Sequence, residues 1–259
     1  MPKRVLWIRA VGTDELDTTI KEFLDREKAR DVEIKTVSLS RGPLHLEYRF
    51  YEALVLPDVL HWIKRADQEG YDGAVVGCYY DVGLLEGREI AERLVMTGPA
   101  EASMHIGATL GHSFSIILGR RKWIPRMLEV VHRYGFTTKL CSLKAIDFGA
   151  PDLQSDPEET QRRFKEAALE AIERDGAEVI LLGCTMGFGF YRALQADLGV
   201  PVIDPLLAPL KYLELLMDLK ARFKWGPSRI GLYQPPQKEE IEGWDLEGQY
   251  GWKDGRNGS

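Results

Sequence analysis

Cysteine is scarce in this chain: three among 259 residues, Cys78, Cys141 and Cys184. The count is odd and the spacing fits no disulfide framework, which points to a reducing compartment such as the cytoplasm. No Cys-x-x-Cys or His-x-x-x-His pair is present to suggest zinc. No apolar run approaches the roughly 20 residues that span a bilayer, so no membrane partner is expected. The apolar stretch after Met1-Pro2-Lys3-Arg4 is too short for a signal peptide. Basic residues are not in excess: 34 Lys and Arg stand against 40 Asp and Glu, a net charge of -6. That balance argues against nucleic acid as the main partner. What remains is globular composition, 44% hydrophobic and 29% charged, in a chain long enough for one large core or two small ones.

Two of the three cysteines sit in matching surroundings 106 positions apart. One segment reads Gly70-Tyr71-Asp72-Gly73-Ala74-Val75-Val76-Gly77-Cys78. The other reads Asp175-Gly176-Ala177-Glu178-Val179-Ile180-Leu181-Leu182-Gly183-Cys184. Each is a short apolar run, read as a buried strand, that ends in Gly-Cys. Around them short apolar runs alternate with amphipathic stretches. Strands are expected at 5–8, 32–39, 74–77, 114–118, 139–146, 179–182 and 200–203. Helices are expected at 18–29, 51–69, 84–94, 100–110, 124–134, 157–174, 190–198 and 206–221. Asp156-Pro157-Glu158-Glu159 is a helix start with Asp as N-cap and Pro at the first helical position.

This alternation predicts an α/β fold of parallel βαβ units with helices on both sheet faces. Ligands of such sheets lie beyond the carboxyl ends of the strands, where both cysteines fall. Met96 follows Cys78 by 18 residues and Val202 follows Cys184 by 18, and Ser113–Leu118 and Ser228–Leu232 read as matching strands. The expectation is two similar lobes, each a parallel-type sheet flanked by helices, related by a pseudo-two-fold axis with the active site between them. The first lobe takes residues 1–98 plus about 206–233, and the second 99–205. A C-terminal tail, 234–259, is expected to be partly docked through Trp244, Tyr250 and Trp252, and to fray over 254–259.

A thiol at a strand end close to a helix N-terminus has its thiolate favoured. Cys141 lies mid-strand with no neighbouring glycine and reads as a small packed hydrophobe. Asp81 caps the turn after Cys78 or faces a substrate N–H. Thr185 offers a hydroxyl beside Cys184, and the N–H groups after each cysteine are candidates to hold an enolate oxygen. His105, four residues from Glu101, and His112 read as structural histidines. Arg120-Arg121-Lys122 is either a solvated helix start or an anion-binding group.

These residues resemble the aspartate/glutamate/hydantoin racemase superfamily, in its hydantoin racemase branch. The likeness runs from Gly42-Pro43 and Tyr51-Glu52-Ala53 through Tyr71–Cys78, Asp81, Gly83, Arg88-Glu89 and Gly98. It continues through Ala102-Ser103-Met104-His105, Leu110–Ile116, Pro125, Arg133-Tyr134-Gly135 and Asp175–Glu178, and closes on Gly183-Cys184 and Gly199–Asp204. The resemblance implies proton transfer without metal or other cofactor by two cysteines, by position Cys78 and Cys184, on a small-molecule substrate with a carbon next to a carbonyl. The candidate substrate contacts are Arg9, Tyr79, Tyr80, Asp81, Gly119, Arg120, Thr185 and Met186, and a homo-oligomer is expected.

The sequence also departs from the family pattern. Arg9-Ala10-Val11-Gly12-Thr13 replaces an Asn-Pro-Asn-like turn, Val82 replaces Pro, Leu118-Gly119 stands where Thr is usual, and Thr185-Met186 replaces a Gly- or Ala-rich loop. Tyr79 and Tyr80 make the first loop aromatic. Two alternatives share this sequence pattern: a single-cysteine isomerase or decarboxylase of the same superfamily, and a non-catalytic small-molecule binder.

Overall fold

The structure, a computed structural model, describes residues 2–252. The described chain forms two compact units. One comprises the residues up to Gly77, Val82–Thr97 and those from Leu213 onward; the other comprises Cys78–Asp81 and Gly98–Tyr212.

The first unit contains β1 (Lys3–Arg9), α1 (Asp17–Glu27), β2 (Val32–Ser38), α2 (Arg49–Gln68), β3 (Gly73–Val76), α3 (Leu84–Ile90) and β4 (Val95–Thr97). All pairings in its sheet are parallel, in the order β2-β1-β3-β4. Central strands covered on both faces need apolar residues at every position rather than every second one. β3 follows this rule throughout, and so does β1 from Val5 to Ile8.

The second unit contains α4 (Pro99–Leu110), β5 (Phe114–Leu118), α5 (Ile124–Arg133), β6 (Leu140–Ala145), α6 (Pro157–Asp175), β7 (Val179–Leu182), α7 (Tyr191–Leu198), β8 (Val202–Ile203) and the start of α8 (Leu207–Phe223). Its sheet is again wholly parallel, in the order β6-β5-β7-β8. One face of this sheet packs on α6 and α7 through Ile117, Ile180, Leu182, Phe164, Ala168 and Leu194. α6 starts as expected, with the Asp156 carboxylate accepting from the Glu159 N–H at 3.1 Å. The second crossing between units falls within α8, at Tyr212/Leu213, where the sequence suggests about 205/206.

The two sheets repeat one register. Ile8 pairs with Val76, two residues before Cys78, and Ile117 pairs with Leu182, two residues before Cys184. Met96 pairs with Ala74, four before Cys78, and Val202 with Ile180, four before Cys184. The Gly77 N–H donates to the Ile8 carbonyl at 2.7 Å and the Gly183 N–H to the Ile117 carbonyl at 2.8 Å. A Cβ on Gly77 would lie 2.8 Å from Trp7 Nε1, and one on Gly183 would lie 2.6 Å from Leu118 Cδ2. Close approach to the neighbouring strand therefore demands glycine before each cysteine.

The expected strand at 228–232 does not form. Ser228–Ile230 is irregular and leads into a single 3-10 turn, Gly231–Tyr233. Ile230 and Leu232 are 79% and 66% exposed. Their backbone pairs with neither edge strand of the first unit's sheet, β2 or β4, so the ladder that makes a strand is missing. Arg229 instead donates to the carbonyls of Arg88, Glu89 and Ala91 at the end of α3. The tail then forms α9 (Lys238–Gly243) and α10 (Leu246–Gln249). Lys64 on α2 pairs with Glu247, and the Trp252 ring lies 6.0 Å from His61. Trp244 and Tyr250 are exposed. Residues 254–259, expected to fray, lie outside the described residues.

Candidate active site

Cys78 begins the turn that leaves β3, and Cys184 the turn that leaves β7. Each turn is closed from its cysteine: the Asp81 N–H donates to the Cys78 carbonyl and the Gly187 N–H to the Cys184 carbonyl, both at 2.8 Å. The residues following the thiols are turns rather than long helices. A 3-10 turn spans Thr185–Gly187, and α3 and α7 begin only at Leu84 and Tyr191. Cys78 is buried and Cys184 half-buried. Both cysteines belong to the second unit, because the segment Cys78–Asp81 packs there.

Asp81 is the reason that it does. Its backbone is left-handed, φ 54°. Its carboxylate accepts from the Ala100 N–H at 3.0 Å, the Glu101 N–H at 2.8 Å and the Tyr134 hydroxyl at 2.8 Å. The first turn of α4 and a side chain at the end of α5 thus grip the turn after Cys78. Burial lifts the Asp81 carboxyl to a pKa of about 7; neighbouring Glu101 adds to the rise and the three donors oppose it. A Cβ on Gly98 would lie 2.2 Å from Asp81 Oδ1, so the carboxylate occupies the space that any side chain at 98 would need.

The second turn is held by other residues. Asp204 Oδ1 accepts from the Leu206 and Leu207 N–H groups at 2.8 and 3.1 Å, and its Oδ2 from the Gly189 N–H at 2.7 Å. Burial raises the Asp204 carboxyl to a pKa of about 6, against the pull of these donors. The Gln154 amide donates to the carbonyls of Met186 and Phe188 at 2.7 and 3.2 Å.

Tyr79 and Tyr80 are both buried. Arg126 lies over the Tyr80 ring, 5.2 Å from its centre. Tyr79 is held well above the ordinary phenol pKa, first by burial; a side-chain hydrogen bond with Ser103 opposes the rise, and the negative charge available to Asp81 and Cys184 adds to it. The residue next to one cysteine therefore lies within electrostatic reach of the other. Thr185 and Met186 are half-buried on the Cys184 turn.

Gly119 is buried, with Phe148 donating its N–H to the Gly119 carbonyl. Arg120 is exposed at the start of the 3-10 turn Arg121–Trp123. Arg9 lies in the first unit, where its Nη1 donates to the Thr13 carbonyl, Asp17 and Ser38, so Asp17 balances its charge. His105 Nδ1 meets the Glu101 main-chain carbonyl at 2.8 Å, and its ring stacks on Tyr212. Cys141 is half-buried against the α6 side of the core.

A model of the Asp/Glu/hydantoin racemase family matches residues 10–213. The chain belongs to that family. It is 32% identical over 213 residues to the hydantoin racemase of Pseudomonas sp. (strain NS671), covering 82% of this chain and 84% of that protein. It is also 32% identical over 238 residues to the hydantoin racemase of Paenarthrobacter aurescens, with 92% and 99% covered. Among solved structures it resembles an allantoin racemase from Klebsiella pneumoniae at a TM-score of 0.83 and 30% identity, over 91% of this chain and 94% of that one. This family member is accordingly an isomerase, a racemase, on the α/β fold described above.

Several residues that hold the racemase's cysteine turns escaped the residue-by-residue reading. Tyr134 and Asp204 lie inside family-like fragments without a role being legible there. Gln154 and Glu101 reach their partners across 32 and 20 positions. The available signal was a pattern: a carboxylic residue three positions after Cys78 and another twenty after Cys184.

Proposed function

We propose that this racemase moves a proton at the carbon next to a carbonyl in a five-membered cyclic ureide of the hydantoin or allantoin kind, with Cys78 and Cys184 as its acid and base. The observation that carries the reading is the equivalence of the two thiols: each follows the Gly that ends the third strand of a sheet with one register, and both lie in the same unit. The substrate class follows the names of the relatives at 30–32% identity.

The chemistry needs one thiolate and one thiol. The thiolate takes the α-proton, and the C–H electron pair moves into the adjacent carbonyl to give an enolate. The opposite thiol returns its own proton to the other face of the carbon, and the enolate collapses to the carbonyl. The substrate leaves inverted, with the protonation states of the two sulfurs exchanged, which equips the enzyme for the reverse direction. The Asp81 and Gly187 N–H groups are committed to the cysteine carbonyls. Stabilisation of the enolate oxygen falls instead to donors on the same turns, the Tyr79, Tyr80, Thr185 and Met186 N–H groups and the Thr185 hydroxyl.

Separate Cys78→Ala and Cys184→Ala variants test this, assayed by optical rotation and by uptake of solvent deuterium into 5-methylhydantoin and allantoin. Each is expected to lower racemisation by about 10²–10⁴-fold. Wild-type exchange in both variants would end the two-thiol mechanism. Loss in only one would favour a single-nucleophile relative, and no exchange by the wild type a binding protein.

A further inference from the structure

The Cys78 turn is tied at its far end. The Asp81 N–H closes it on the Cys78 carbonyl at 2.8 Å. The Asp81 carboxylate is 1% exposed and accepts three donors, the Ala100 and Glu101 N–H groups and the Tyr134 hydroxyl. A carboxylate so enclosed is a support for the main chain that carries the thiol. Two of its donors belong to the first turn of α4 and are fixed by that helix. The third is a side chain: Tyr134 reaches Asp81 from the end of α5, 53 positions away. The Cys184 turn has the same closing bond, from the Gly187 N–H, but glycine has no side chain to anchor it. Asp204 holds Gly189 there, and the Gln154 amide holds the Met186 and Phe188 carbonyls. The two thiols thus stand on turns braced by different side chains, all within the second unit.

We infer that Tyr134 is a positioning residue for Cys78, acting through Asp81, and that Gln154 is its counterpart for Cys184. The inference rests on the two-thiol reading above and adds to it the residues that aim each sulfur. In that reaction each sulfur has a different task in each direction. For one enantiomer Cys78 breaks the C–H bond and takes the proton. For the other, Cys184 takes the proton and Cys78 delivers its own to the enolate carbon. Loosening one turn therefore slows the first half of the reaction in one direction and the second half in the other. Placement matters because a shift of about 1 Å in a reacting group can cost about 100-fold in rate.

The test uses both enantiomers of 5-methylhydantoin, with hydrogen or deuterium at C5, and the full chain carrying Tyr134→Phe or Gln154→Ala. Tyr134→Phe removes only the hydroxyl and is expected to lower kcat/KM about tenfold. The enantiomers have equal energy, so kcat/KM falls alike in both directions and the asymmetry shows in the primary isotope effects. In Tyr134→Phe the effect should grow for the enantiomer whose proton Cys78 removes, because C–D cleavage limits the rate more. It should shrink for the mirror image, where reprotonation by Cys78 becomes limiting. Gln154→Ala should move the two effects in the opposite senses. General loosening of the protein moves both effects the same way. Asp81→Asn, of nearly the same shape, should repeat the Tyr134→Phe pattern more strongly and stands in if that variant does not fold. Suppose that the cysteine variants are inactive. Isotope effects that move together, Gln154→Ala failing to reverse the pattern, or Tyr134→Phe with kcat/KM within twofold of wild type then overturn this inference and leave the two-thiol reading standing. Wild-type exchange in both cysteine variants, or none by the wild type, ends the two-thiol reading and this inference with it.

Discussion

The two cysteine turns are the same turn held from opposite ends. Counting from each cysteine, position +3 is Asp81 in the first and Gly187 in the second, while position +20 is Gly98 in the first and Asp204 in the second. In both, a buried carboxylate accepts the amides at +22 and +23, Ala100 and Glu101 or Leu206 and Leu207. In the first, the carboxylate stands on the cysteine turn and reaches to the helix start. In the second, it stands at the helix start and reaches back to Gly189 on the cysteine turn. Each turn has one such carboxylate. At the first, the carboxylate excludes any side chain at the reciprocal position, Gly98; at the second, a Cβ on Gly187 would meet only Phe164 and Leu182 at ordinary contact distance.

Doubling the carboxylate breaks this arrangement hardest. Gly98→Asp sets a second carboxylate where even a Cβ would lie 2.2 Å from Asp81 Oδ1. Urea unfolding should show a loss of about 3–5 kcal/mol. Adding Asp81→Gly to that variant copies the second turn's solution, and at least half of the loss should return. Position 81 is left-handed and accepts glycine without strain, and the extended backbone at 98 suits an aspartate cap. No recovery in the double variant would mean that the two turns are not interchangeable.

Titration sharpens the comparison further. Both folded carboxyls have pKa values raised above the ordinary 3.8, to about 7 for Asp81 and about 6 for Asp204. Between pH 4 and these values the folded state binds protons that the unfolded chain has released. The stability each group contributes is therefore whole below about pH 4 and is lost as pH rises, through 7 for Asp81 and through 6 for Asp204. Wild-type unfolding free energy should slope downward across pH 4–7. Asp81→Asn should remove the part of that slope between pH 6 and 7, and Asp204→Asn should leave that part intact.

The smallest effect concerns the Gln154 amide, a support given only to the second turn. Gln154→Ala frees the Met186 and Phe188 carbonyls, at an expected cost of about 1–2 kcal/mol in urea unfolding. Deuterium uptake into 5-methylhydantoin should fall by less than in any cysteine variant. A stability loss above that of Asp204→Asn would make Gln154, and not Asp204, the main anchor.

Much of the fold was legible because burial on both faces writes itself as unbroken apolar runs. Phe114–Leu118 and Val179–Leu182 stand where the sequence puts them, and so do the glycines before each cysteine. The expected strand at 228–232 failed because apolar residues alone do not create a ladder partner. The sequence offers Arg9 as a substrate contact by its position after the first strand; that its guanidinium also reaches Asp17 and Ser38 was not legible there. Nothing local distinguishes a paired arginine from an unpaired one.

By itself, the sequence determined the family, the alternation of strand and helix, and the two Gly-Cys strand ends with their common spacing to the next strand. These are local patterns or chain distances, and they survive without knowledge of packing. Only the tertiary structure decided that Asp81 draws the Cys78 turn into the unit that contains Cys184, and that Tyr134 and Gln154 brace the two turns. Hydrogen bonds across 20 to 53 residues depend on where the elements come to rest, and a buried polar group's need for a partner is visible only once its neighbours are in place.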